Sequence, residues 1–392
     1  MSSQQTSPIP QGRRYAKPLA GSGLLVGASL GGLLLFIQLY MKSLGASTVL
    51  IGLISSLNAA GTLIGSLFWG AIADRVRRRP LLFITAAALS AAILVMVALP
   101  RVEVVLVTAF VRLFLFAGFT AVTIAIVSGA SAQSRRGKNV SYVSSARAFG
   151  LAVGSMTAGF VLEWLGFRFG FLLIGLLAAV GALILLGLPQ EPAPRLGRQR
   201  GSLQMIRAAG LIDLYVATML RQMAVFGTFS LLYIYMDTLA IPTWLMGIVG
   251  SFNMLTQTGA LLVFGRLADR FGRRRIFMLG FALSVATPCL FVLVPSAVGM
   301  ALGYVSVGLS FSSLYIGSTA HIGDRVPPER QGTMLGLYES SRGLGGLFGP
   351  VLAGILVPTV GYTGMFLTMA GIALLGLLVM TIGYRPRRLT VR

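Results

Sequence analysis

The sequence predicts an all-α membrane protein with twelve transmembrane helices in two pseudo-symmetric six-helix bundles. The chain is 56% apolar and only 11% charged. Its apolar runs repeatedly reach the roughly 20 residues that a helix needs to cross a bilayer core. The runs are continuously apolar and lack the alternation typical of membrane strands, so helices remain as the spanning structure.

The two halves of the chain share a repeated segment. It reads Gly70-Ala-Ile-Ala-Asp74-Arg75-Val-Arg77-Arg78-Arg79 and returns as Gly265-Arg-Leu-Ala-Asp269-Arg270-Phe-Gly272-Arg273-Arg274, with an offset of 195 residues. The same offset relates six further pairs: Gly52 and Gly247, Asn58 and Asn253, Gly137 and Gly332, Arg147 and Arg342, Gly154 and Gly349, Gly159 and Gly354. A register kept over these positions without an insertion indicates an internal duplication.

Twelve apolar runs can be read in order, six in each half. They cover residues 20–41, 48–72, 80–99, 103–130, 140–163, 168–188, 210–237, 243–268, 275–295, 298–322, 333–357 and 363–384. We therefore expect a tail over 1–18, a bundle over 19–188, a second bundle over 208–384 and a tail over 385–392. Residues 189–207 are rich in proline, glycine and arginine, as is typical of a linker between domains.

The basic residues predict the orientation. They collect in alternate loops, at 13–17, 75–79, 135–138, 195–200, 270–275, 325–330 and 385–392, whereas the intervening loops hold only Lys42, Arg101 and Arg168. The positive-inside rule then places both termini in the cytoplasm and the protein in the cell membrane. The net charge of +22 is spread over short loops, which favours anionic lipid headgroups as partners and argues against nucleic acid.

The sequence offers no sign of an enzyme. We find no phosphate-binding glycine loop, no cluster of histidine and cysteine ligands and no serine, histidine and acid set, and His321 and Cys289 are each the only residue of their type. We expect no cofactor, no metal and no ATP-driven pumping. An ion or solute gradient remains as the energy source.

Twelve runs in two parallel halves, with Gly-x-x-x-Asp-Arg-x-x-Arg-Arg after the second and the eighth, resemble the major facilitator superfamily of secondary transporters. The resemblance covers essentially the whole chain. It implies a monomer whose two bundles rock around a central site that opens to alternate sides. The first copy departs from the pattern because Arg77 stands where the second copy has Gly272, which permits a left-handed turn.

The resemblance also implies a cytoplasmic gate, because the loop after span two meets span eleven and the loop after span eight meets span five. We expect Asp74 to pair with Arg342 and Glu339, and Asp269 to pair with Arg147. The basic neighbours Arg75, Arg78, Arg270 and Arg273 complete this predicted gate. A static anchor, which satisfies the charges in every state, is the alternative interpretation.

Glycines repeat in spans five and eleven, and we expect them to bring the two bundles into close contact. They are Gly150, Gly154 and Gly159 in span five and Gly343, Gly345, Gly346, Gly349 and Gly354 in span eleven.

Two arginines lie near the predicted midplane of the bilayer, Arg112 in span four and Arg221 in span seven. A charge at this depth normally faces a cavity or a partner. Spans one, four, seven and ten line the central cavity in the family, so both are candidate substrate ligands. The alternative is that each is neutralised locally and braces the fold. Polar companions in the candidate site are Gln38, Gln222, Asn253, Gln257, Tyr304 and Tyr315.

Three classes of function remain open. The first is a secondary transporter of a small organic solute, anionic or amphipathic, with a coupling ion such as the proton. We favour it because the sequence shows no carboxylate at the depth of the two arginines. The second is a proton-coupled multidrug efflux antiporter. The third is a membrane sensor or lipid-handling protein with the same fold.

Overall fold

A computed structural model of the chain describes residues 11–73, 76–131, 135–189, 206–207 and 209–383, and it is helical throughout most of this part. The α-helices are α1 Gln11–Ser43, α2 Thr48–Ala73, α3 Arg78–Ala98, α4 Val102–Ala130, α5 Arg136–Ile184, α6 Ile212–Ser230, α7 Leu232–Thr238, α8 Thr243–Phe271, α9 Arg273–Leu293, α10 Ala297–Gly323 and α11 Pro328–Gly383. A short 3₁₀ turn, Leu185–Gly187, follows α5. The prediction of an all-α protein is confirmed.

Eight of the described helical stretches are long and apolar enough to cross a membrane. Two of them, Lys138–Gly187 and Thr333–Gly383, contain 50 and 51 residues, which is about 75 Å of helix against a hydrocarbon core of about 30 Å. Each contains one glycine with non-helical backbone angles, Gly166 and Gly361. The two breaks fall in the gaps between predicted spans five and six and spans eleven and twelve. The count of twelve crossings stays a prediction.

The first helix begins earlier than the apolar run suggests. The apolar run predicts that span one begins at residue 20, but α1 already includes Gln11. Tyr15, Ala16 and Leu19 are buried on this extension. Apolar side chains at this spacing lie on one face of a helix, while the polar residues between them hide the helix from a search for continuous apolar runs.

The chain divides into two compact units. The first contains Met1–Leu34 and Gly61–Leu196, and the second contains Leu35–Ala60 and Gly197–Arg392. The end of α1 and the first half of α2 thus belong to the second unit. Thr48 donates a hydrogen bond to the carbonyl oxygen of Gly354 at 3.1 Å, and Gly52 packs directly on the carbonyl of Pro350. The bundle boundaries and the linker stay predictions, and residues 190–205 lie outside the described part.

Close helix packing repeats in the two units at the offset of 195. In the first unit α5 packs on α1, so that a Cβ added to Gly154 would lie 1.9 Å from the carbonyl oxygen of Ala28. In the second unit α11 packs on α6, and a Cβ added to Gly349 would lie 2.0 Å from the carbonyl oxygen of Met223. All four positions are related by the duplication, which the structure therefore supports in detail.

The glycine contacts include some that the sequence does not predict. Gly150 packs on Leu24 of α1, and Gly345 packs on Met219 of α6. Both contacts lie inside a single unit, whereas Gly354 packs on Thr48 and Val49 of the second predicted span. The contact between the predicted bundles stays a prediction. Small residues permit close helix approach in lipid wherever the backbones meet, and here they join the first and fifth helices of each repeat.

The backbone turns repeat as well. Gly166 and Gly361, which are related by the offset of 195, both have φ 70°. A second pair related by this offset, Gly45 and Ala240, has φ 77° and 54°. Ala240 is the single non-glycine residue with positive φ in the described chain. Gly272 has φ 92°, as its type permits, whereas the equivalent Arg77 has φ −58°. The duplicated motif therefore turns differently in its two copies.

Candidate functional site

Arg221 lies in the interior of the second unit and is only 4% exposed. Its Nε donates to the hydroxyl of Ser284 at 2.9 Å, one terminal nitrogen donates to Oε1 of Gln222 at 2.8 Å, and the other donates to the hydroxyl of Ser310 at 3.0 Å. Three neutral partners from α6, α9 and α10 thus hold one guanidinium. This arrangement fits the bracing alternative for Arg221 in the conformation described.

The hydroxyl network extends beyond the arginine. Ser284 and Ser310 lie 2.7 Å apart, and Ser310 also donates to the carbonyl oxygen of Gly280 at 2.7 Å. One turn further along, Thr287 donates to Ser306 at 3.0 Å. Buried polar groups of this kind are costly unless each has a partner. Here they tie α9 to α10 along two turns.

Arg112 lies in α4 of the first unit and is 2% exposed. It is therefore as deeply buried as Arg221. The two arginines belong to different units.

The other predicted companions fall into separate clusters of the second unit. Nε2 of Gln257 donates to Oδ1 of Asn253 at 2.6 Å on α8. Tyr304 is buried, with its ring centroid 4.9 Å from that of Phe229. Tyr315 is half exposed and stacks on Phe311 at 6.2 Å.

The side chain of Gln38 bridges a break in the helix of the seventh predicted span. The helix stops at Ser230 and resumes at Leu232. The side-chain amide of Gln38 donates to the carbonyl oxygen of Phe229 at 3.2 Å and accepts from the backbone amide of Tyr233 at 3.1 Å. These two bonds satisfy backbone groups at the interruption, as a buried chain requires. Lys42, one turn further along α1, forms an ion pair with Asp237.

The predicted gate is described only in part. Asp74 and Arg75, together with the side chains of Asp269 and Arg273, lie outside the described residues. Arg78 is 7% exposed and donates to the carbonyl oxygen of Ala125 at 3.1 Å. Arg270 lies over the ring of Phe271 at 5.4 Å.

The two remaining gate arginines make equivalent aromatic contacts. Arg147 lies over the ring of Phe116 at 5.6 Å, and Arg342 lies over the ring of Phe311 at 5.2 Å. The four residues are related in pairs by the offset of 195. Arg342 also forms an ion pair with Glu339 at 2.8 Å. The pairing of Arg342 with Asp74 and of Arg147 with Asp269 stays a prediction.

Sequence reasoning missed two features. One is the Lys42 and Asp237 pair, although the offset of 195 that relates the two residues was a readable signal. The other is a narrow cleft in the first unit, between α4 and α5 and next to Arg147. A sequence motif does not predict such a space, because the space depends on how side chains from several helices pack together. Among the described residues, no group of histidine, cysteine and acidic side chains could hold a metal ion.

Known proteins resemble this chain along nearly its whole length. It is 26% identical to the uncharacterized MFS-type transporter YuxJ of Bacillus subtilis, over 90% of this chain and 95% of that protein. It is 22% identical to the multi-drug resistance efflux pump PmrA of Streptococcus pneumoniae, over 87% and 89% of the two chains. It is 24% identical to the multidrug resistance protein MdtG of Klebsiella pneumoniae, over 89% and 88%.

The fold is also that of a solved transporter. The crystal structure of the nucleoside transporter NupG superposes with a TM-score of 0.76 at 15% identity, over 95% of this chain and 100% of that one. The sequence profile of the Major Facilitator Superfamily matches residues 19–255 and 214–391. The chain is therefore a multi-pass membrane protein that belongs to the Major Facilitator Superfamily of transporters.

Proposed function

We propose that this protein carries a small organic solute with a negative charge and an apolar body across the cell membrane by alternating access. Both termini lie in the cytoplasm in this proposal. The protein works as a monomer among anionic lipids, and an ion such as the proton couples transport to a gradient. The predicted gate of the duplicated motif closes the cytoplasmic side.

The proposal rests on the positive sign of the buried charges. Among the described residues, the buried permanent charges are Arg78, Arg112 and Arg221, which are 2–7% exposed, and no described aspartate or glutamate is buried to this degree. The partners of Arg221 are neutral, so its positive charge is not cancelled locally. Guanidinium groups in a low-dielectric interior favour carboxylate and phosphate groups and disfavour organic cations.

Several side chains serve the substrate in this proposal. Arg112 and Arg221 supply positive potential, while Tyr304 and Tyr315 offer aromatic surface to the apolar body. The amides of Gln222, Asn253, Gln257 and Gln38 are polar companions. All four amides are already engaged in hydrogen bonds within the protein in the conformation described, Gln257 and Asn253 with each other.

Proton-coupled multidrug efflux is the second candidate, and the relatives support it. PmrA and MdtG carry multidrug resistance in their names and match most of this chain. The described carboxylates Asp213, Asp237 and Glu339 are not fully buried. A proton-coupled antiporter commonly requires a titrating carboxylate in its interior. Asp74 and the side chain of Asp269, which lie outside the described residues, would have to serve that role.

Transport by the purified protein in liposomes distinguishes the two candidates. The panel contains organic carboxylates, phosphorylated solutes, neutral sugars and cationic dyes, each tested with and without an imposed pH gradient. We expect saturable movement of organic anions above that of protein-free liposomes. Movement of cationic dyes alone, dependent on the pH gradient, would replace this proposal by multidrug efflux.

A further inference from the structure

The helix of span seven is interrupted at Leu231, and the side chain of Gln38 occupies the interruption. Leu231 has φ −119° and ψ 9°, each roughly 50–60° from the value of an α-helix. In an uninterrupted helix the backbone amide of Tyr233 would donate to the carbonyl oxygen of Phe229, four residues earlier. These are the two groups that Gln38 binds, at 3.1 Å and 3.2 Å. The side-chain amide therefore takes the place of one helical hydrogen bond.

The exchange leaves both backbone groups with a partner in either arrangement. The amide of Gln38 donates through Nε2 and accepts through Oε1, so one side chain satisfies a carbonyl and an N–H together. Backbone groups inside a bilayer need a partner in every state. If Gln38 leaves, Tyr233 and Phe229 can bond to each other directly. Leucine favours the helix, so Leu231 does not oppose the repair.

A second contact holds α1 against α7 one turn further along both helices. Lys42 forms an ion pair with Asp237, and the two side chains are 46% and 38% exposed. An ion pair that is exposed to this extent contributes only about 0–1 kcal/mol, so it breaks at little cost. Gln38 and Tyr233, like Lys42 and Asp237, are 195 positions apart. The helices α1 and α7 therefore meet at equivalent points of the two repeats.

The two helices are anchored differently. The ring of Tyr235 on α7 lies 5.0 Å from that of Tyr362 and 5.1 Å from that of Phe366, both on α11. In contrast, α1 is one helix that belongs to the first unit as far as Leu34 and to the second unit beyond it. Motion of the first unit would therefore withdraw Gln38 together with α1, while α7 stays with the second unit.

We propose that Gln38 is a reversible substitute for a backbone hydrogen bond and makes span seven a two-state element. With Gln38 inserted, span seven is broken and the ends of α1 and α7 stay together, which closes the predicted outer side. With Gln38 withdrawn, Tyr233 donates directly to Phe229, α6 and α7 join into one helix, and the ends separate. Both states satisfy the same backbone groups, as a bistable element in a membrane requires. The switch rests on the alternating access of the proposed function and does not depend on the charge of the solute.

The separation of the two helix ends tests the switch. In a background with Cys289→Ser, spin labels at Ser43→Cys and Thr238→Cys, both exposed positions, report this separation by their dipolar coupling in the full-length protein in nanodiscs. Gln38→Leu removes both hydrogen bonds at similar volume. We expect it to raise the ratio of separated to closed protein about two- to tenfold, the effect of about one net hydrogen bond. Unchanged coupling would overturn the proposal.

Two variants at one position distinguish a switch from a simple contact. Tyr233→Pro removes the N–H, so the uninterrupted helix loses its bond and the proline ring clashes with the preceding turn. Tyr233→Ala removes the same aromatic ring but keeps the N–H. We expect the proline variant to be more closed than the alanine variant by at least about tenfold. If Gln38 were only a contact, the proline variant would lose one of its two bonds and separate more, which would refute the switch.

Two further variants keep the test decisive. Gln38→Asn retains an amide that is too short to reach both backbone groups, so it should separate the ends as Gln38→Leu does, even if the leucine variant folds poorly. Lys42→Met removes the exposed ion pair and should change the ratio less than Gln38→Leu. An equal or larger effect of Lys42→Met would show that the ion pair, and not the amide, holds the ends together.

Anion transport in liposomes separates this proposal from the proposed function. If the helix ends respond as expected in a protein that moves only cationic dyes, the switch is supported and the proposed function is refuted. If Tyr233→Pro transports organic anions as fast as Tyr233→Ala, span seven does not need to straighten. The switch is then refuted while the proposed function stands.

Discussion

At the scale of single residues, Arg221 shows how a buried charge is held without an opposite charge. Three neutral side chains accept its hydrogen bonds, each from a different helix. Solvation by fixed hydroxyl and amide dipoles replaces water around the guanidinium. Such a centre joins three helices while its positive charge still acts at longer range.

We expect Arg221→Gln to lower the free energy of unfolding by about 1–3 kcal/mol, because Ser284 and Ser310 lose a charged donor in a buried setting. Thermal unfolding in detergent measures the change. Arg270→Gln, at an exposed arginine that contacts Phe271, is the control and should change stability little. Wild-type stability of Arg221→Gln with lost anion uptake would contradict the bracing role.

Ala240 offers a second prediction for a single residue. Its φ of 54° strains any residue with a Cβ, and the equivalent position in the first half carries Gly45. We expect Ala240→Gly to raise the free energy of unfolding by up to about 1 kcal/mol. Gly45→Ala should lower it by a similar amount, since nothing lies within 4 Å of its added Cβ and only strain acts. Thermal midpoints of the two variants that shift in the same direction would disprove this explanation.

At the scale of helices, close approach of α1 and α5 depends on glycine. A methyl group on Gly154 would lie 1.9 Å from the carbonyl oxygen of Ala28, so Gly154→Ala must separate the two helices. We expect a loss of about 1–3 kcal/mol in stability. Gly259→Ala on α8 is the control, since its added Cβ meets nothing within 4 Å, and it should be neutral or slightly stabilising. Equal melting temperatures for both variants would show that α1 and α5 tolerate separation.

The sequence predicted some helix breaks and could not predict others. The breaks at Gly166 and Gly361 fall where the apolar runs end, and glycine permits the required backbone. The break at Leu231 lies inside a continuous apolar run, and leucine favours a helix. It is stabilised by the amide of Gln38, almost 200 residues away in the chain. Local patterns contain no information about such a partner.

At the scale of the whole molecule, the arrangement of basic loops predicts which side each connection faces. In a background with Cys289→Ser, we expect Arg101→Cys to react with a membrane-impermeant maleimide in intact cells and Val76→Cys to react only after permeabilisation. Both positions are exposed. The opposite labelling pattern would reverse the predicted topology and with it the location of the gate.

The fold was predictable at this scale because hydrophobic length and an internal repeat are properties of the sequence itself. The candidate site was less predictable. Arg112 and Arg221 stood out as charges in apolar runs, and the structure buries both. Whether a guanidinium faces a solute or a serine depends on side chains from other helices, such as Ser284 and Ser310. The cleft beside Arg147 likewise depends on how side chains of α4 and α5 pack together, which a local sequence pattern does not contain.

The contact of Lys42 with Asp237 has a consequence for the history of the chain. The two residues occupy the same place in the ancestral repeat, so in a dimer of identical repeats each would have met its own copy. Two lysines or two aspartates at that spot would repel each other. The attraction that now joins them therefore arose after duplication, when each copy could mutate separately, and it makes the two repeats unequal at this position.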